Sequence, residues 1–161
     1  MKYSFCIIFF CLFISCSFVT QKKEALPSFN LLLLDSTTTF NTAKIPEGKP
    51  FVLVYFSPDC EHCQQETEQI LAKMDSLNKT KFYFFSVEPF GRIKAFHKYY
   101  HLSNYPNITM GRDYTFFFPI HFKANSVPWV LIYNKRKRLE RVYEGGLTPT
   151  KLIQAMNEIE N

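Results

Sequence analysis

Apolar positions along the chain fall into two spacings, and the switches between them mark the elements. Phe51–Phe56 (FVLVYF) is an unbroken apolar run of strand length, the pattern of a strand covered on both faces. From Cys60 to Leu77 the spacing becomes helical, with Ile70, Leu71, Met74 and Leu77 on one stripe and Gln64, Glu68 and Lys73 off it. Lys81–Val87 (KFYFFSV) predicts a second strand, and Phe90–Leu102 a second helix with Ile93, Phe96 and Tyr100 on its apolar side. Asn107–Met110 follows as a short strand, then Asp113–Phe122 as a short helix interrupted at Pro119. PWVLIYN and RLERVYEG form a strand pair across the basic turn NKRK, which Gly145-Gly146 ends. The last helix is expected to take Thr148 as its N-cap and Pro149 as its first residue. Upstream, the apolar and β-branched residues of Phe29–Asn41 around DSTTT predict a β-hairpin.

The order is therefore a hairpin, then βαβαβα, then ββα, which predicts an α/β fold: a mixed sheet with helices on both faces. If the strand before Cys60 is central and the next two strands flank it on opposite sides, right-handed crossovers place their helices on opposite faces. At 161 residues, with 47% apolar and 20% charged positions, the chain is long enough for one domain with a real core, and disorder is excluded. Most of the 18 Phe belong in that core, although one of Phe116–Phe118 is a candidate for the wall of a substrate groove.

The first residues carry a different message. Lys2, the apolar stretch Phe5–Ile14, Ser15-Cys16 and the polar Gln21–Glu24 have the anatomy of a secretory signal. Leu12-Phe13-Ile14-Ser15-Cys16 resembles a bacterial lipobox, which makes Cys16 the expected lipidation site. The expected organisation is a lipoprotein signal over 1–15, a tether over 16–27 and the folded domain over 28–161. A protein facing the periplasm and held at a membrane by lipid follows; the rival readings are an ordinary cleaved signal peptide and an uncleaved anchor extended to Val19. The net charge of +5 favours anionic surfaces weakly and, without a basic face, does not predict nucleic-acid binding. Lys135–Arg138 is expected to be a solvated turn, with headgroup contact as the alternative.

Of the five cysteines, Cys6 and Cys11 would leave with the signal and Cys16 would carry lipid. Cys60 and Cys63 then remain as a C-x-x-C pair in an exported domain, where disulfide chemistry matters. Cys60 sits where the buried strand turns into a helix, so the helix dipole and its free N–H groups aim at the sulfur and favour thiolate. Cys63, one turn deeper, is spaced to attack a mixed disulfide on Cys60 and release the substrate. Cys60 is thus the expected nucleophile and Cys63 the resolving thiol.

Three other chemistries compete. Cys60 and Cys63 with His97 and His101 would make four zinc ligands, but 33 residues separate Cys63 from His97, far above finger spacing. Copper binding and delivery would use Cys60, Cys63 and His62 or His121; a non-catalytic binding module is the blandest form of that rival. A peroxidase would need Thr three residues before its cysteine and Pro further upstream, whereas Ser57 and Pro58 stand here.

FSPDCEHC, the Ser-Val-Pro before WVLIYN, and the closing RVYEGGLTPTKLIQAM resemble the thioredoxin-like superfamily. The leading LPSFNLLLLDSTTTFN…GKPFVLVYF is similar to its TlpA-like/redoxin (AhpC-TSA-related) branch of exported thiol-disulfide oxidoreductases. The resemblance spans about Leu26 to Ile159. It implies a thioredoxin-like fold with an added N-terminal hairpin, no bound cofactor, a monomer, and as partners exported protein thiols or disulfides plus a membrane or periplasmic redox partner. It further implies a cis proline at Pro128 lying against the disulfide, and substrate pairing by the Val127 backbone, next to Trp129. Pro58-Asp59 stands where the family often has Trp. Between the cysteines, His62 would stabilise thiolate and Glu61 would oppose it, so the direction of exchange is not set. Glu88, at the end of the second long strand, is a candidate proton shuttle for Cys63 by resemblance; the other reading is a solvated carboxylate.

Overall fold

Three strands sealed on both faces organise the molecule. The computed structural model describes residues 23–160; the signal expected over 1–15, Cys16 and most of the expected tether lie outside the described residues. The elements are β1 (Asn30–Leu33), β2 (Thr39–Asn41), β3 (Phe51–Tyr55), α1 (Glu61–Ala72), α2 (Met74–Leu77), β4 (Lys81–Ser86), α3 (Phe90–Tyr99), β5 (Ile108–Arg112), α4 (Phe117–Phe122), β6 (Trp129–Tyr133), β7 (Leu139–Glu144) and α5 (Pro149–Glu160). The seven strands form one mixed sheet in the order β2-β1-β5-β4-β3-β6-β7. β3, β4 and β5 are parallel, while β6 and β7 return antiparallel and the hairpin of β1 and β2 adds to the β5 edge.

Alternation along β3 feeds two cores. Val52, Val54 and Phe56 join Phe82, Phe84, Val130 and Ile132 under α1, α3 and α5, where Ile70, Ile93, Phe96 and Leu152 close the layer. Phe51, Leu53 and Tyr55 join Tyr83, Phe85, Trp129, Leu131 and Tyr133 on the other face, covered by Phe118 of α4 and by Phe29 and Leu31. Because both faces are covered, these strands read as continuous apolar runs rather than as alternation. The expected mixed sheet with helices on both faces and an N-terminal hairpin is what forms.

Three local expectations need correction. β4 and β5 do not flank β3 on opposite sides; β4 lies beside β3 and β5 beyond it. Two right-handed crossovers in the same direction put α1 and α3 on one face, not two. The helix expected over Cys60–Leu77 is broken at Lys73, whose N–H bonds to the carbonyls of Ile70 and Leu71. This tight final turn starts α2 afresh with Met74 and Leu77 facing the core. The third helix begins at Phe117 rather than Asp113, and Pro119 does not interrupt it. The proline falls in the first turn, where backbone N–H groups have no helical acceptor to lose.

What starts α4 is Asp113, fully buried, whose carboxylate accepts the N–H groups of Phe117 and Phe118 at 3.1 and 2.7 Å. Phe116, at φ 57°, turns the chain between them. Replacing the acceptor would leave these donors without a partner. Asp113→Ala should therefore lower unfolding free energy by about 1–3 kcal/mol, read as a lower urea midpoint at unchanged m-value.

Candidate active site

The site lies at the end of the sheet where β3 stops. Phe56 is still buried, and Ser57, Pro58 and Asp59 carry the chain over the sheet edge into α1. The Cys60 N–H donates to the Ser57 carbonyl at 3.2 Å, and the Gln64 side-chain amide donates to the Pro58 carbonyl at 2.8 Å, so the turn is tied at both ends. Cys60 is the N-cap of α1: its Sγ accepts the Cys63 N–H at 3.4 Å. A sulfur that becomes an anion keeps this donor, which is the use a helix N-terminus has for negative charge. Across the site, Cys60 Sγ–H donates to the Val127 carbonyl at 3.8 Å.

Both thiols are free, and their settings differ: Cys60 is partly exposed and Cys63 is buried. Burial pushes the Cys63 thiol well above its ordinary range; a backbone contact from Ser57 opposes this, and Cys60 and Glu66 add to the rise. The outer thiol can therefore meet a substrate, while the inner one holds its proton until something removes it.

Downstream, the Val127–Pro128 peptide is cis, and Pro128 is buried beside the pair's own elements. The Gly145 N–H donates to the Pro128 carbonyl at 2.8 Å, which fastens the end of β7 to this loop. Val127 is half-buried and lines a groove of about 220 Å³ with Tyr55, Ser57, Glu88 and Ser126. Glu61 and His62 are exposed on the first turn of α1. Trp129 is not brought to the pair: its ring sits on the opposite face of the sheet, edge-on to Phe118.

The buried carboxylate on the Cys63 side of α1 is Glu66, which the sequence reading passed over. Three positions after Cys63, it falls on the same side of α1 and is buried. Its Oε1 accepts the Leu147 N–H at 2.8 Å, and its Oε2 has no hydrogen-bond partner among the described residues. Gly146 makes room for it. At φ +85°, a Cβ there would stand 2.6 Å from Glu66 Oε1 and 3.0 Å from Pro128 Cγ. The signal was available as a Glu inside the buried stripe Cys63, Thr67, Ile70. Glu88, the expected shuttle, is half-buried, contacts Arg92 at 3.4 Å and lines the groove with Val127. Arg92 also pairs with Asp59 at 2.7 Å, on the exposed side of the turn.

The histidines offered for zinc, and His121 offered for copper, are not gathered with the pair. His121 stacks on Phe117 and meets Glu24 at 3.1 Å, on the helix that covers the face opposite α1. His97 is half-buried on α3, and His101 is exposed just past its end at φ 51°. Among the described residues no three His, Cys, Asp or Glu side chains converge as a metal site.

A family model described as Thioredoxin-like domain matches residues 39–160. No curated protein sequence matches the chain. Among solved structures, the thioredoxin domain of a thiol-disulfide oxidoreductase from Bacteroides vulgatus superposes with a TM-score of 0.71 at 12% identity, covering 87% of this chain and 98% of that one. A secreted Mycobacterium tuberculosis disulfide oxidoreductase homologous to E. coli DsbE gives 0.67 at 18% identity, covering 81% and 95%. A peroxiredoxin-like protein from Aquifex aeolicus gives 0.67 at 15% identity, covering 85% and 86%. At these identities the likeness is one of fold. A fold of this kind carrying a C-x-x-C pair at a helix N-terminus supports oxidoreductase activity.

Burial raises the Glu66 carboxyl to about 7, with the Leu147 N–H opposing the rise. An unfolded carboxyl ionises near 4.5, so between 4.5 and 7 the unfolded chain releases a proton that the folded chain keeps. Stability contributed by this group is present below 4.5 and falls as pH rises through the window. The loss is on the order of 3 kcal/mol. Glu66→Gln keeps an acceptor for Leu147 and cannot ionise. Urea titrations at pH 4.5 and pH 8 should show the wild-type protein losing more stability than the variant over this interval.

Proposed function

The chain belongs to the thioredoxin-like domain family, and on that premise we propose that it exchanges disulfides with other exported proteins through Cys60 and Cys63. The observation that carries this is the contrast between the two thiols. Cys60 is partly exposed at the head of α1 with the Cys63 N–H on its sulfur, whereas Cys63 is buried behind it. Val127, whose carbonyl reaches Cys60 Sγ, and Pro128 form the wall against which a substrate segment lies.

The cycle balances without a cofactor. Cys60 thiolate attacks one sulfur of a substrate disulfide; that S–S bond breaks, the Cys60–substrate disulfide forms, and the other substrate sulfur leaves as thiolate. Cys63 then loses its proton and attacks Cys60 Sγ. The Cys60–Cys63 disulfide forms, and the second substrate sulfur departs as thiolate and takes up a proton. The substrate is reduced by two electrons and the pair is oxidised by two; the reverse sequence oxidises a substrate dithiol.

The raised thiol of Cys63 makes the second step the demanding one. Glu66 supplies a base there: its Oε2 has no hydrogen-bond partner among the described residues, and its carboxyl ionises near the working range, at about 7. Glu61 and His62 are exposed, so solvent screens their opposing charges and their influence on the pair is small. The reading extends to a lipid-anchored, periplasm-facing protein with Cys16 as the lipidated residue. It rests on the sequence from Lys2 to Glu24, and no helix among the described residues is long and apolar enough to cross a membrane. Fatty-acid labelling that disappears in Cys16→Ala is its test.

Purified protein should be cycled between dithiol and disulfide by dithiothreitol, and Cys63→Ala should accumulate a mixed disulfide on Cys60 with a peptide disulfide. Failure of both would end the oxidoreductase reading. In the same assay, Glu66→Gln should slow resolution of the mixed disulfide by roughly 10²-fold, the low end for a positioned base. Alkylation of Cys60 by iodoacetamide should keep its wild-type rate. Equal slowing of both steps would mean that Glu66 acts on structure alone.

A further inference from the structure

The end of the sheet away from Cys60 gathers cationic side chains from separate parts of the chain. The turn between β6 and β7 contributes Lys135, Arg136, Lys137 and Arg138, and the loop before β3 contributes Lys44 and Lys49. Tertiary contacts bring the two together. The Gly48 N–H donates to the Lys135 carbonyl at 2.9 Å, and Lys137 Nζ donates to the Ala43 carbonyl at 2.8 Å. These cations are not neutralised internally: among the described residues none of the six forms an ion pair. The acids at this end are committed or few. Glu140 holds Lys23, Glu24 holds His121, Glu158 beside Lys135 and Arg136 holds Arg141, and Glu47 stands in the loop with Lys44 and Lys49. The sequence showed one basic turn; the fold makes a basic face.

The chain also enters the domain here. The Leu26 N–H donates to the Lys137 carbonyl at 2.9 Å and the Leu139 N–H to the Glu24 carbonyl at 2.8 Å, so the segment from Lys23 onward is pinned to the same turn. β6 runs from Tyr133 at this end to Trp129 at the other, where Val127 meets Cys60. Five residues of strand separate the two ends by about 17 Å before the loops are added.

We propose that this basic face rests on an anionic phospholipid surface and so holds the thiol pair pointing away from the membrane. The inference relies on the membrane-tethered reading for what delivers the face to its partner. From Cys16 to Lys23 an extended chain reaches at most about 25 Å. A lipid at Cys16 would therefore keep the basic end close to the headgroups at high effective concentration. Charge complementarity acts once the face comes within a Debye length, about 8 Å at physiological salt, and each surface cation there multiplies the population in contact by about fivefold. Nucleic acid presents the same phosphate charge but has no feature of this chain that would deliver it. Held this way, Cys60 and the Val127 groove face the aqueous side, where soluble substrate proteins approach.

The test uses the full-length protein with vesicles of phosphatidylcholine alone or with added phosphatidylglycerol. Flotation with the phosphatidylcholine vesicles reads the tether by itself. Brief acetylation then reads the face: phosphatidylglycerol should slow modification of Lys49 and Lys135 by about fivefold or more. Lys94 and Lys151, toward the thiol end, should be unchanged, and high salt should erase the protection. Equal acetylation on both vesicle types, or equal protection of Lys94 and Lys151, would overturn the proposal. So would protection of Lys49 and Lys135 by duplex DNA, at equal phosphate concentration, as strong as that by phosphatidylglycerol. Protection without flotation on phosphatidylcholine would uphold the basic face and remove the tether.

Discussion

Everything at the site depends on the burial of β3. Its five residues are buried on both faces, and its two edges are paired, in parallel with β4 and antiparallel with β6. A strand with no solvent face cannot slip by one residue without moving its whole apolar set into the wrong layer. That constraint fixes where the chain leaves the sheet, and with it the position of Ser57, the head of α1 and the sulfur of Cys60. It also fixes Val127, because β6 pairs with β3 in register from Trp129 opposite Tyr55. The Cys60 sulfur and the Val127 carbonyl facing it are thus positioned by two neighbouring, paired strands.

A second layer of control comes from one buried carboxylate. Glu66 is held by a backbone N–H of the segment after β7, beneath a glycine whose Cβ would meet both it and the buried Pro128. Three chain segments far apart in sequence thus meet around a single side chain, and they meet next to Cys63. A charge in that place costs free energy because it is desolvated. The cost is also what raises the carboxyl's affinity for a proton.

The fold also separates two chemistries along one axis. The sheet end at which β3 and β4 stop carries the thiols, the groove and Pro128; the end at which they start carries the chain's entry and the basic turn. Short antiparallel returns allow this, since β6 brings the chain from one end to the other within five residues.

Most of the elements were legible in the sequence because each followed from local pattern: the apolar run of β3, the helical stripe after Cys60, the Gly-Gly end of β7, Pro149 at the head of α5. The Cys60–Cys63 pair was legible for the same reason, since its spacing and its place after a strand are local. Pro128 and Val127 could be pointed to only through a family resemblance. Four things were decided by tertiary structure alone. The strand order put α1 and α3 on one face, because direction of crossover is a property of the sheet and not of either helix. α4 starts at Phe117, not Asp113, because the buried Asp113 carboxylate, lying before the helix, accepts its first N–H groups. Glu66 came to be buried because burial of one face of α1 depends on what packs over it, here Gly146 and Leu147. The basic turn became a face only when the loop holding Lys44 and Lys49 was folded against it. Periodicity in a sequence says which side of an element is apolar; only the packed chain says which charges are left together, buried or exposed, once those sides have met.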